Sequence, residues 1–268
     1  MTLTLVEHRD TPKVKGLGDD LFILVGNPKT GKTTLAASFP DSYVLELEPK
    51  GGDRVAGRIH EIPDLETFRD VLEVVFDTPE IKTVVIDTID VLSDWIEDEV
   101  AGQFGLKQIS ERKKEVSGFE VWGEFKKRME GLVGYFKDSG KLVIVLAHTK
   151  EPKVVDDQVI TPAGINIPGK GGSYLAAQAD LIGFTYRQAI STGTQYFVTF
   201  KGGPLGTWGS RIAELNDKTL KLDQINPYRA FQDIFSETSK PATARPKGLV
   251  AKTNGTKKPA KKTAARKK

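Results

Sequence analysis

The 268-residue sequence predicts an α/β fold, a mostly parallel sheet with helices on both faces, and three observations carry that prediction. Through residue 147, short apolar runs alternate with stretches whose apolar residues recur at helical spacing, the pattern of βαβ units. The first of those runs, LFILV, stops at Gly26 and leads through Gly26-x-x-x-x-Gly31-Lys32-Thr33 into a helix. After His148 the pattern changes to short β-like runs separated by Gly and Pro loops, so a β-rich part follows the alternating core.

Residues 1–20 read as an irregular lead-in, with Gly16 and Gly18 ahead of the strand at 21–25. The next helix spans about 32–38 and stops at Phe39-Pro40, because proline restricts the residue before it. A strand at 43–47 runs into the loop Glu48-Pro49-Lys50-Gly51-Gly52, and 59–62 reads as a short third strand. Leu65, Phe68, Leu72, Val75 and Phe76 mark a helix over 64–76 with Asp64 as its N-cap. A strand at 83–86 and a helix at about 88–101 follow, then a polar, mobile segment at 102–118. The spacing of Val121, Trp122, Phe125, Met129, Leu132, Val133 and Phe136 predicts a helix over 119–137, and 142–147 a strand. The later β-like runs lie at 153–161, 181–187 and 195–201.

Composition excludes several classes. There is no cysteine, which rules out disulfides and thiolate metal sites and fits a reducing cytoplasm. Apolar runs such as LVIVLA are far below membrane-spanning length, and MTLTLVEHRDTPK lacks the apolar core of a signal peptide. The expectation is a soluble cytoplasmic protein with no membrane partner. The net charge of +3 hides an asymmetry: of 39 Lys and Arg, eleven lie in 240–268 with no acid, so residues 1–239 hold 28 bases against 36 acids, a balance of −8. The tail is built of Lys, Ala, Thr, Pro and Gly and is expected to be disordered. Its cations suit attraction to nucleic acid phosphates, with a solubilising role or folding back on the acidic body as the alternatives. The division is 1–20 lead-in, 21–236 core domain, 237–268 disordered Lys-rich tail.

The loop points to a nucleoside triphosphate with Mg²⁺. Gly26, Asn27, Pro28, Lys29, Thr30, Gly31, Lys32, Thr33 and Thr34 form the cradle, curled so that amide N–H groups converge on an anion at a helix start. Lys32 is placed to reach the β- and γ-phosphates and the Thr33 hydroxyl to ligate Mg²⁺. Thr83-Val84-Val85-Ile86-Asp87 delivers an acid to a strand's carboxyl end, so Asp87 joins Thr33 at the metal, acting through Thr33 and water. Thr88 follows, where many ATPases carry a catalytic Glu, so the base that activates water must come from elsewhere. Glu48, at the end of the strand after the phosphate-loop helix, is the candidate; Glu46 shares its strand face, and the carboxyl-end position favours Glu48.

In this combination the chain resembles the RecA-like recombinase ATPases, and more nearly the phage-encoded RecA-like ATP-binding proteins of single-strand annealing and recombination. The matching stretches are Gly26 to Thr34, Glu48 to Gly52, Val84 to Thr88, Gly118 to Phe125 and Leu142 to Lys150, and the resemblance covers about residues 20–215. It implies a RecA-like P-loop NTPase core and an ATPase stimulated by single-stranded DNA. It also implies a homo-oligomer, ring or filament, with ATP at subunit interfaces, cooperation with a single-strand DNA-binding protein, and a host cytoplasm. His148 falls at the place of a polar γ-phosphate sensor. Segments 102–118, with Lys107, Arg112, Lys113 and Lys114, and 157–173, with Lys170, fall where the two DNA loops would be. Phe119 and Trp122 read as core at helical spacing, with base stacking as the alternative. Lys201 ends a strand where the family carries a cation acting on the neighbouring subunit's nucleotide; Lys-Gly-Gly stands here in place of a Lys-x-Arg-like pair, and Arg211 is the substitute. Two other readings use the same motifs: an annealing module with ATP as a conformational ligand only, and a helicase or packaging-type motor.

Overall fold

The computed structural model describes residues 14–155, 158–161, 163–203 and 206–238. The Lys-rich tail from 239 and most of the lead-in lie outside them. In chain order the elements are β1 Leu21–Gly26, α1 Lys32–Ala37, β2 Ser42–Glu46, β3 Arg58–Glu61, α2 Leu65–Asp77, β4 Thr83–Asp87, α3 Ile89–Gln103, α4 Gly118–Asp138 and β5 Leu142–Ala147. There follow β6 Thr149–Lys150, β7 Lys153–Val155, β8 Gln158–Thr161, β9 Gly164–Ile165, α5 Gly171–Gln178, β10 Leu181–Ile190, β11 Gly193–Thr199, β12 Gly209–Ser210, β13 Thr219–Leu222 and α6 Arg229–Thr238.

The main sheet runs β13-β11-β10-β1-β5-β4-β2-β3, with β12 added to β10. From β10 to β3 every neighbouring pair is parallel; β11 and β12 are antiparallel to β10, and β13 to β11. The alternation along β1 shows how two faces are filled. Leu21, Ile23 and Val25 join one core with α2, α3, α4 and α5, while Phe22 and Leu24 join the other with α1 and α6. On the second face Phe22 is fully buried among Phe39, Phe200 and Phe231 at centroid separations of 5.9–6.2 Å, a site worth about 2–3 kcal/mol in burial alone. A mostly parallel α/β sheet with helices on both faces is therefore the observed architecture.

Local signals in the sequence act as expected at α2, where the Asp64 carboxylate accepts from the Thr67 amide at 2.8 Å and caps the helix. Three expectations need correction. The segment 102–118 is not polar throughout: Leu106 and Ile109 anchor its first part against the first core. Phe119 is not core: it is 89% exposed on the first turn of α4, ahead of the buried stripe Val121, Phe125, Met129, Val133 and Phe136. Trp122, by contrast, packs against the first core as its spacing predicts, half-buried, edge-on to Phe125 and close to Gly169. Residues 171–173, expected in a mobile loop, open α5. A Cβ on Gly172 would sit 3.0 Å from the Ile165 carbonyl oxygen, so this glycine serves close packing, not chain freedom. Asp157 and Pro162 of that segment lie outside the described residues.

Candidate functional site

The carboxyl ends of the parallel strands come to one edge of the sheet, and strand register sets which side chains meet there. Glu46 pairs with Asp87, Asp87 with Leu146, Val25 with Ala147 and Gly26 with Thr185. The residues just beyond those rungs surround a cavity of about 640 Å³.

One wall is the loop between β1 and α1. Lys29 (φ 63°) and Gly31 (φ 84°) are both left-handed, which bends the main chain into a concave turn ahead of α1. Gly26 is required by packing, because an added Cβ would lie 2.7 Å from the Thr185 carbonyl oxygen. The Lys32 ammonium donates to the carbonyls of Gly26 (2.8 Å) and Asn27 (3.1 Å), which leaves one of its three protons for a ligand. Pro28, Lys29, Gly31, Lys32, Thr33 and Thr34 line the cavity. Gly26, Asn27 and Thr30 support the loop from behind, the Thr30 hydroxyl being taken up by Asn27 O and Thr185 Oγ1, both at 2.8 Å.

The opposite wall is acidic. Thr33 donates its hydroxyl to Asp87 at 2.7 Å. Asp87 is buried, and burial, foremost, pushes its carboxyl up to about 6. Burial also lowers Lys32, against the attraction of Asp87, Asp90 and Glu48. The structure separates the two glutamates that sequence left close. Glu46 is buried and accepts from the Gly52 amide, folding the loop after β2, whereas Glu48 lines the cavity. His148 lines it too, its Nδ1 3.5 Å from Asp90.

Lys201 and Arg211 are not brought to this cavity within the chain. Lys201 is exposed beyond β11, and Arg211 pairs with Asp180 at 3.2 Å and donates to Ala177 O at the far end of β10. Sequence reasoning missed Arg187 and Tyr196, a cross-strand pair of β10 and β11 on the cavity wall. The Tyr196 ring covers Gly31, where a Cβ would meet it at 3.3 Å, and Arg187 has no ion pair among the described residues. No motif marks them; only the pairing of β10 with β1, two residues past Thr185, would have done so.

A loop of left-handed residues, a buried lysine with a proton to spare and a hydroxyl on a buried carboxylate suit a triphosphate and Mg²⁺, which needs few protein ligands when phosphates supply the rest. The profile of the family described as AAA domain matches residues 21–212, which takes in the cavity's phosphate loop, Glu48, Asp87 and His148. The chain belongs to that family. This AAA domain covers both the parallel strands and the β10–β11 hairpin. No curated protein matches the sequence. Among solved structures, the KaiC-like protein PH0186 of Pyrococcus horikoshii OT3 is 14% identical, with 78% of this chain and 87% of that one covered and a TM-score of 0.44. The flagellar accessory protein FlaH of Methanocaldococcus jannaschii is 15% identical, with 76% and 85% covered and a TM-score of 0.36. Among the described residues no helix is long and apolar enough to cross a membrane.

Proposed function

We propose that this AAA domain binds and hydrolyses Mg²⁺·ATP and couples that cycle to single-stranded DNA, as a RecA-like protein of recombination or annealing. The observation that carries the reading is the convergence of Lys32, Thr33, Glu48, Asp87 and His148 on one cavity. Lys32 holds the β- and γ-phosphates from its perch on the Gly26 and Asn27 carbonyls. Thr33 and Asp87 hold Mg²⁺, which when bound neutralises charge on the phosphate oxygens. Glu48 takes the proton of the attacking water, freed for that task because the neighbouring glutamate is committed to Gly52. His148 senses the γ-phosphate. The chain assembles with copies of itself, ring or filament, so that Lys201, or Arg211 in its place, completes a neighbour's site.

For the DNA, support comes from one side of the molecule. The segment with Lys107, Arg112, Lys113 and Lys114 leads into the exposed Phe119, and Trp122 on the same helix lies near Gly169 and the exposed Lys170. Cations that follow phosphates, with aromatic rings for bases, are the chemistry of single-strand binding. The Lys-rich tail adds sequence-independent attraction.

The test is ATP turnover by the full chain with and without single-stranded DNA, alongside DNA binding in ATP, ADP and no nucleotide. DNA is expected to stimulate turnover, and Glu48→Gln to lower it by about 10²–10⁴-fold while keeping ATP affinity. DNA binding that changes with nucleotide, with no turnover, would support ATP as a conformational ligand instead. Indifference of DNA binding to nucleotide would overturn the coupling.

A further inference from the structure

We infer that Asp90 is a positioning residue that ties His148 to the chain leading away from the cavity, so that a nucleotide touching the imidazole is transmitted to β6, β9 and α5. The inference rests on the reading of the cavity as an ATP site. His148 is gripped on both sides of its backbone. Its amide donates to Asp90 Oδ2 at 2.9 Å, and its carbonyl accepts from the Asn166 amide at 3.1 Å. The same Asp90 oxygen lies 3.5 Å from His148 Nδ1, a separation that a small turn of the ring would close to a hydrogen bond. One carboxylate thus addresses both the backbone and the ring of the residue facing the ligand.

The surroundings of Asp90 hold its carboxylate in place beside His148. It stands in the first turn of α3, three residues after Asp87, where the helix's positive end favours an anion. Its side chain is only 12% exposed, and its second oxygen, Oδ1, is buried with no hydrogen-bond partner among the described residues. The hydroxyls of Thr88 and Thr149, on the residues following Asp87 and His148, are in the same condition. Asp90 Oδ1 is thus an acceptor still open to a donor, while Oδ2 is already engaged by the His148 amide. The way out is short. Thr149 and Lys150 form β6, paired with Ile165 and Gly164 of β9, and that segment runs on through Lys170 into α5. A displacement of His148 therefore pulls on a two-stranded ribbon whose other strand leads to the cationic turn.

The full chain and its Asp90→Ala, Asp90→Asn and His148→Ala variants test this, with Asp94→Ala, one turn further along α3, as the control. Three quantities are read: the ATP dissociation constant, kcat with KM, and ATP-dependent amide exchange over residues 149–155 and 163–178. Asp90→Ala is expected to keep ATP affinity within about twofold, lower kcat about tenfold, the worth of a hydrogen bond to a charged group, and lose the exchange response. Asp90→Asn retains an acceptor for the His148 amide and is expected to recover much of that response, and the Asp90→Ala/His148→Ala double variant to be no worse than either single one. Wild-type kcat and a wild-type exchange response in Asp90→Ala would overturn the inference. If Asp90→Ala does not fold, an Asp90→Asn protein identical to wild type in both readouts overturns it equally. A wild-type chain that binds no ATP would instead overturn the reading of the cavity.

Discussion

Replacing Asp87 with Asn separates what the site costs the fold from what it does for a ligand. Asp87 is 3% exposed, and burial raises its carboxyl from 3.8 to about 6. The Thr33 hydroxyl opposes that rise, Glu48 adds to it, Lys32 opposes it and Glu46 adds to it. A shift of about two units corresponds to about 3 kcal/mol between the protonated and ionised carboxyl in the folded chain. The folded value lies above the unfolded one, so the folded chain holds the proton more tightly and the ionised carboxylate weakens the nucleotide-free fold. That cost is fully present above about pH 6, falls to about half near pH 5, and vanishes below the ordinary carboxyl value of 3.8. Asp87→Asn keeps an acceptor for the Thr33 hydroxyl and removes the charge. The variant is expected to be more stable than wild type by up to about 3 kcal/mol near pH 7, a rise in melting temperature of about 5–10 °C, while losing Mg²⁺-dependent ATP binding. Urea and thermal unfolding without nucleotide, near pH 7 and near pH 5, read this directly. A variant no more stable than wild type at neutral pH, or a gap that widens as pH falls, would refute the reasoning.

Gly26→Ala places a Cβ 2.7 Å from the Thr185 carbonyl oxygen, backbone that cannot turn aside. The expected loss is about 1–3 kcal/mol of unfolding free energy with weaker ATP binding, read by denaturant titration and calorimetry. Phe119→Ala removes a ring that is 89% exposed, so melting temperature and ATP affinity are expected to hold. Affinity for single-stranded DNA is expected to fall by about 1–3 kcal/mol, measured by fluorescence anisotropy at fixed salt; unchanged binding would remove Phe119 from the DNA surface.

Much of the core was legible because it is built from local rules. Apolar runs such as Val84–Ile86 have no competing reading as strands, and Asp64 caps α2 by the bond its residue type predicts. The site's acids and its lysine were legible for a related reason: in a parallel sheet the carboxyl ends share an edge, so a residue ending one strand meets residues ending the others. What could not be read depended on contacts distant in sequence. Nothing near Arg187 or Tyr196 announces that β10 lies beside β1, 160 residues away, and that pairing alone brings them to the cavity. Glu46 and Glu48 look alike on one strand until Gly52 folds back to claim Glu46. Glycines misled at 171–172, where the sequence signal for a loop instead marks a helix start packed tightly against Ile165 and Ile167. The short helix α6 went unread although Phe231 and Phe235 bury one of its faces.

Whether Lys32 grips a nucleotide is best measured by calorimetric titration of Mg²⁺·ATP into wild-type and Lys32→Ala protein of matched folded content. Lys32 is buried against the loop carbonyls with one proton left to donate, so the wild type is expected to bind and the variant to lose at least about tenfold in affinity, the worth of a charge-assisted bond to phosphate. Equal affinity in the two proteins, or no heat of binding in the wild type, would contradict the account.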